Sequence, residues 1–300
     1  MRAANTAAPT RMVAGVASLA SHYDGFLLDQ WGVLHDGVRA LPGALDCLAA
    51  LRTAGKKIVI LSNSGRTGDE NALLMQRFGV ERESYDALIT AGDDARQAFR
   101  SRPDAFYRAL GRRCVVVARP GDLSLVEDFG LEAVERVDDA DLVLVLSLDS
   151  PARGVRDYES MLHEARARGL PMVCANPDLT RVTPDAILEA PGAVAKRYEA
   201  LGGTVRYHGK PDPGIYQSCL ATFERLGLYR REQVIAVGDS IAHDVAGADS
   251  AGLASALVAA GIHREALCVE GARLPTAARW AAFAATAPAQ PDYVIPAFVW

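Results

Sequence analysis

The chain has 300 residues, half of them apolar and 23% charged, with a formal net charge of −5. That length accommodates a core plus an inserted domain, and the slight acidity excludes nucleic acid or an anionic membrane as the organising partner. No run of about eighteen apolar residues occurs, which excludes a helical membrane span.

The segment to Ser21 mixes Arg2, Asn5, Pro9 and Arg11 with small residues and lacks a compact apolar core. It reads as the loose start of a cytoplasmic protein. Tyr23 to Leu28 is the first expected strand, closing on Asp29. Pro42 then opens a helix with Leu41, Leu45, Leu48 and Leu51 on one stripe, and Gly55 ends it. Lys57 to Leu61 is a β-branched strand that stops at Ser62. A second αβ series follows, with strands expected at Cys114–Val117, Leu142–Leu146 and Met172–Ala175, and a helix through Met161, Leu162 and Ala165. Its apolar content is enough for its own core, so residues 85–207 read as an inserted domain. Crossings are expected at Gly79–Tyr85 and Val205–Gly209, leaving 1–84 and 208–300 as the main domain. Gln233 to Val237 is a strand ending at Gly238-Asp239; further strands are expected at 254–258 and Tyr293–Ile295, and Ala277–Ala289 reads as helix and loop. Short apolar runs alternating with helical patterns predict an α/β fold around a parallel sheet. The five cysteines (Cys47, Cys114, Cys174, Cys219, Cys268) have no C-x-x-C or metal-ligand spacing and read as small buried apolar residues.

An aspartate at the carboxyl end of a buried strand, followed by a glycine turn, stands where open α/β sheets place their chemistry. Asp29 in Asp29-Gln30-Trp31-Gly32 fits, although a strand-end Asp also makes turns. Asp239 ends a second strand, with Asp244 five residues on. With Asp29 they would supply hard oxygen ligands suited to Mg²⁺; without a cation, three gathered carboxylates would repel and raise one another's pKa values. Lys210, in Gly209-Lys210-Pro211, could offset the charge of a nucleophile and of a phosphate. Ser62 ends its strand where a hydroxyl and the following amides could hold phosphate oxygens, and Asn63 is its neighbour; a plain capping role competes for each.

Four segments, Asp29-Gln30-Trp31-Gly32-Val33-Leu34, Leu61-Ser62-Asn63, Gly209-Lys210-Pro211-Asp212-Pro213 and Gly238-Asp239-Ser240-Ile241-Ala242-His243-Asp244, resemble in order the signature segments of the haloacid dehalogenase superfamily. Asn176-Pro177-Asp178 resembles a segment of its class IIA, the nitrophenylphosphatase-like members with a large αβ cap; turn chemistry explains it equally well, and no catalytic role is assigned to it. The resemblance implies a Rossmannoid core interrupted by an inserted αβ cap, and Mg²⁺-dependent hydrolysis of a small phosphorylated molecule through an aspartyl-phosphate on Asp29. It implies that Asp29, Asp239 and the backbone carbonyl of Trp31 hold the metal, with Asp244 behind them, and that Ser62, Asn63 and Lys210 hold the phosphate. A homodimer is also in keeping with it.

Trp31 departs from the pattern, because the phosphatases usually carry a second Asp there. An indole N–H does not titrate, so general acid–base help worth roughly 10²–10⁴-fold would be lost. The enzyme would then favour good leaving groups or draw its acid from elsewhere, His35 and Asp36 being nearest in sequence. Two other readings are a 2-haloacid dehalogenase, whose Asp-x-Tyr-Gly segment Trp31 approaches but which has no use for an acidic metal cluster, and a phosphometabolite-binding pseudo-phosphatase with little turnover.

Overall fold

Apolar residues that alternate between two covered faces build the main sheet of the computed structural model, which describes residues 9–183, 186–267 and 273–300. Along the chain come β1 (Arg11–Met12), β2 (Gly25–Leu28), β3 (Lys57–Ser62) and β4 (Ala87–Thr90). A second block holds β5 (Arg113–Val117), β6 (Glu132–Ala133), β7 (Leu142–Val145), β8 (Met172–Cys174), β9 (Thr180–Val182), β10 (Ile187–Glu189) and β11 (Val205–Tyr207). The chain then returns through β12 (Val234–Gly238), β13 (Ala254–Val258) and β14 (Tyr293–Ile295). The main sheet is parallel throughout, in the order β1-β14-β13-β12-β2-β3-β4.

Phe26, Leu28, Ile58, Ile60, Ile235 and Val237 pack on one face, under Ala44, Cys47, Leu48 and Leu51 of the helix Ala44–Thr53. Leu27, Val59, Leu61, Val234 and Ala236 pack on the other, under Ile215, Tyr216, Cys219 and Phe223 of the helix Pro213–Arg225. This period of two, with both faces covered, is why these strands read as unbroken apolar runs. From β2 the chain first moves to β3 and β4 on one side and later lays β12 and β13 on the other. The carboxyl ends of β2 and β12 therefore flank the topological switch point, where open α/β sheets bind ligands.

The second block forms its own parallel sheet, β11-β8-β7-β5-β6, with β9 and β10 as an antiparallel hairpin beside it. Val143 and Val145 face one apolar cluster, Leu142 and Leu144 another. Outgoing and returning chains are tied together: His208 Nδ1 lies 2.6 Å from the Asp94 carboxylate, and its Nε2 bonds the Tyr107 hydroxyl.

Several expectations need correction. The inserted domain does not begin at residue 85 and the crossing does not lie at Gly79–Tyr85, because Ala87–Thr90 pairs with Val59–Ser62 in the main sheet. Asp86 locks it there, its backbone N–H reaching Ile58 O at 2.7 Å while its carboxylate accepts the Ile58 N–H at 2.7 Å. Four mostly half-buried residues at a sheet edge give too short a pattern to stand out from the linker. The start of the chain is not loose over its described part: β1 pairs with β14, and Val16 and Leu19 are fully buried. Cys47, Cys114, Cys174 and Cys219 are buried free thiols, whereas Cys268, Arg2 and Asn5 lie outside the described residues. Among those residues no helix is long and apolar enough to cross a membrane.

Candidate active site

Neighbouring parallel strands run about 4.8 Å apart, so residues that end two of them at one level must meet. Asp29 follows β2 with its N–H on Val237 O at 2.9 Å, and Asp239 follows β12. Asp244 is carried back toward them by a π-helical turn over Ile241–Val245, opened by Ser240; such turns recur at functional sites. Ligand oxygens of Asp29, Asp239 and Asp244 lie within 4.8 Å of one another.

Glycine makes this approach possible at two points. Gly32 has φ +79°, and a Cβ there would lie 2.0 Å from Asp239 Oδ2. At Gly238 a Cβ would lie 2.0 Å from Asp244 Cγ. Two backbone donors orient the acids: Ile262 N–H reaches Asp239 Oδ2 at 2.9 Å, and Ser240 N–H reaches Asp244 Oδ2 at 3.0 Å. From the neighbouring helix, the Tyr216 hydroxyl braces the turn by donating to His243 O and Asp244 O, 3.1 and 3.2 Å away.

Lys210 enters this cluster from the loop before the helix Pro213–Arg225. Its Nζ sits 2.5 Å from Asp29 Oδ1 and 2.7 Å from Asp244 Oδ1, and the residue is only 3% exposed. Asn63 fixes that loop, its Oδ1 accepting the Lys210 N–H at 2.7 Å while its Nδ2 donates to Asp178 Oδ1 at 2.8 Å. The Asn63 side chain is thus committed to Lys210 and Asp178. Ser62 is nearly buried beside it, its Oγ accepting the Ser64 N–H at 3.3 Å.

One ammonium does not neutralise three buried carboxylates. Burial first, then Asp244 and Asp178, push the Asp29 carboxyl up to about 7 against the pull of Lys210. Asp239 is raised well above the ordinary carboxylate range by burial and by the charges of Asp29 and Asp244. Burial opposes charge on Lys210 as well, but Asp244 and Asp29 outweigh it and hold the ammonium firmly protonated. Hard oxygens, close spacing and surplus negative charge are what a small divalent cation requires, so the residues present fit Mg²⁺.

These groups open into a cavity of about 350 Å³ lined by both sheets' loops, with Asp29, Ser62, Lys210 and Asp239 on one side and Arg119, Asp178 and Arg181 among the residues from the second block. Trp31 is part of the wall. Its ring meets His35 edge-on, with centroids 5.2 Å apart, and leaves room for nothing larger than glycine at position 37. His35 is fully buried and burial lowers its pKa to about 4, so the ring is neutral near pH 7. Asp36 does not line the cavity; its carboxylate accepts the Val38 and Arg39 N–H groups, each at 2.9 Å. Neither is placed as a ready proton donor. Sequence reasoning missed His243, whose Nδ1 lies 3.2 Å from Asp178 Oδ1 in the cavity wall. The only signal was Asn176-Pro177-Asp178, to which turn chemistry gave an equal explanation.

The chain resembles known proteins over most of its length. Residues 26–132 and 113–252 match family descriptions of haloacid dehalogenase-like hydrolases, and residues 207–298 match a HAD-hydrolase-like one. D-glycerol 3-phosphate phosphatase of Mycobacterium tuberculosis is 30% identical over 262 residues, 86% of this chain and 70% of that protein. A haloacid dehalogenase-like hydrolase of Brucella suis superposes with a TM-score of 0.81 at 27% identity, covering 96% of this chain and 100% of the other. Glycerol phosphate phosphatase of M. tuberculosis in complex with magnesium superposes with a TM-score of 0.65 at 24% identity, over 96% and 78% of the two chains.

The acidic cluster generates a test that needs no turnover. Mg²⁺ should raise the melting temperature, since a ligand at a hundredfold excess over its Kd stabilises the folded state by about 2.7 kcal/mol. In Asp239→Asn the Mg²⁺-dependent rise should vanish, while the metal-free melting temperature should be no lower than wild type, because one member of a repelling buried set has been neutralised. Differential scanning calorimetry with and without Mg²⁺ reads both.

Proposed function

The chain belongs to the haloacid dehalogenase-like hydrolases, and we propose that it is an Mg²⁺-dependent phosphatase that hydrolyses a small phosphate monoester through an aspartyl-phosphate on Asp29. The observation that carries this reading is the buried cluster at the switch point, with Lys210 Nζ bridging Asp29 and Asp244 beside Asp239. An acidic metal-ligand set of this kind favours attack on phosphorus over attack on a carbon–halogen centre.

Asp29 Oδ attacks phosphorus in line, the bond from phosphorus to the ester oxygen breaks, and the alcohol leaves with the electron pair and gains a proton. Water then attacks the phosphorus of the acyl phosphate, which returns the Asp29 carboxylate and releases inorganic phosphate. Lys210 holds Asp29 in place and offsets the charge of both the carboxylate and the incoming phosphate. Ser62 faces the phosphate, and Asn63 acts by fixing the Lys210 loop. Asp29, Asp239 and the Trp31 carbonyl would hold Mg²⁺, with Asp244 behind them; when bound, it offsets negative charge on the phosphate oxygens. Residues between β4 and His208 act as the cap that shields the reacting groups from water, a role supported by a cavity lined from both sheets.

The direct test is Mg²⁺-dependent release of phosphate from nitrophenyl phosphate. Asp29→Asn should lower kcat to background while circular dichroism and melting show an intact fold; activity within a few-fold of wild type would remove Asp29 as nucleophile.

Trp31 generates a sharper expectation. With no titrating group there and His35 neutral, hydrolysis should depend steeply on the leaving group, because nitrophenolate departs unprotonated and an alkoxide does not. The kcat/KM for nitrophenyl phosphate should exceed that for a hexose phosphate by roughly the 10²–10⁴-fold that general acid help contributes. Trp31→Asp should narrow the gap. Equal efficiency on both substrates in the wild type would mean that another group supplies the proton, with His243 the first to substitute.

A further inference from the structure

Three arginines line the cavity, Arg66 after β3, Arg119 after β5 and Arg181 in β9. Arg66 already has its anion: its Nε and Nη2 lie 3.0 and 2.7 Å from Asp122 Oδ1, and the other oxygen of Asp122 accepts the Ser147 hydroxyl at 2.7 Å. Arg119 and Arg181 differ. Neither has a carboxylate within ion-pair distance among the described residues; Arg119 Nε donates to Leu148 O at 3.1 Å, and Arg181 Nη2 donates to Ser150 O at 2.5 Å. Arg181 Nε is shielded from solvent with no acceptor among the described residues. Burial, and next the charge of Arg119, lower the Arg181 pKa, with Asp149 opposing them in part.

Two guanidiniums that repel each other across a partly closed cavity, one holding a shielded unpaired N–H, form a site short of an anion. A guanidinium fork is shaped to donate to carboxylate or phosphate oxygens, and a buried donor without an acceptor is costly. The phosphate attacked by Asp29 has Lys210 beside it, whereas Arg119 and Arg181 line the cavity from the second block and are left for a different anion.

We propose that Arg119 and Arg181 bind a second anionic group of the substrate, a carboxylate or a further phosphate, so that the preferred substrate is a small phosphorylated acid or bisphosphate and not a phosphorylated alcohol. This rests on the phosphatase reading above and deepens it. The modest cavity limits the spacer between the two anionic ends to a few atoms.

The test uses the full chain with Mg²⁺ and substrates matched on one carbon frame. Phosphoglycolate is compared with 2-hydroxyethyl phosphate, and propane-1,3-diol bisphosphate with its monophosphate, so the two arms distinguish a carboxylate from a phosphate. For at least one pair, kcat/KM should favour the doubly anionic member by about tenfold or more, as expected for charge-assisted hydrogen bonds left unmade by the alcohol. Arg181→Gln and Arg119→Gln should each collapse that ratio toward one, chiefly through KM. A wild-type ratio near one in both arms, or a ratio unmoved in both variants, overturns the proposal. If Arg181→Gln melts as an unfolded chain, Arg119→Gln carries the comparison.

Turnover of nitrophenyl phosphate keeps the two claims apart. Its absence, with no phosphate released from any compound, overturns the phosphatase reading alone. The arginine pair is then tested by melting-temperature shifts with the same four compounds. Preferential stabilisation by a doubly anionic compound, lost in the variants, supports the anion site; equal shifts, or none, overturn it.

Discussion

Burying three carboxylates around one ammonium is the constraint on which the rest of this structure depends. Adjacent parallel strands deliver Asp29 and Asp239 to the same crevice, and the turn opened by Ser240 adds Asp244. Such an arrangement is unfavourable by itself, as the upward shifts of Asp29 and Asp239 express. It persists because the surroundings over-determine it. Tyr216 braces the turn, Asn63 clamps the Lys210 loop, and glycine at 32 and 238 removes the Cβ atoms that would keep the acids apart. Under the proposed function, the stability given up here would be recovered when a cation and the phosphate that accompanies it bind.

Trp31 separates binding from proton transfer. Its side chain is a wall packed on the buried ring of His35. In the proposed mechanism, a cluster that would stabilise charge on phosphorus but offers no carboxyl at this position would shift the burden onto the leaving group. On the second-block side of the cavity the imbalance has the opposite sign, with Arg119 and Arg181 lacking carboxylate partners among the described residues. A molecule with an anionic group at each end satisfies both.

Much of the site could be read from the sequence because its elements are local. A buried run ending in Asp, as at Phe26–Asp29 and Val234–Asp239, names both the strand and the functional position. Lys210 was legible through Gly209 and Pro211. What escaped depends on contacts distant in sequence. β4 is too short to declare itself, and the strand β1 gains its partner from Tyr293, at the other end of the chain. The pairing of His243 with Asp178 arises only when the second block folds over the first, and the approach of Arg119 to Arg181 only when the second block itself folds. Asn63 read as a phosphate ligand, yet its amide reaches Lys210 and Asp178 across more than a hundred residues of chain.

The central claim is that Asp29 becomes phosphorylated during turnover. Acid quenching of the enzyme while it hydrolyses nitrophenyl phosphate with Mg²⁺, followed by borohydride reduction and peptide mass spectrometry, converts an acyl-phosphate to an alcohol at the residue that carried it. The account predicts homoserine at position 29 and at no other aspartate. Reduction at a different residue, or an unmodified Asp29 in enzyme that turns over with a step after phosphoryl transfer limiting its rate, would contradict it.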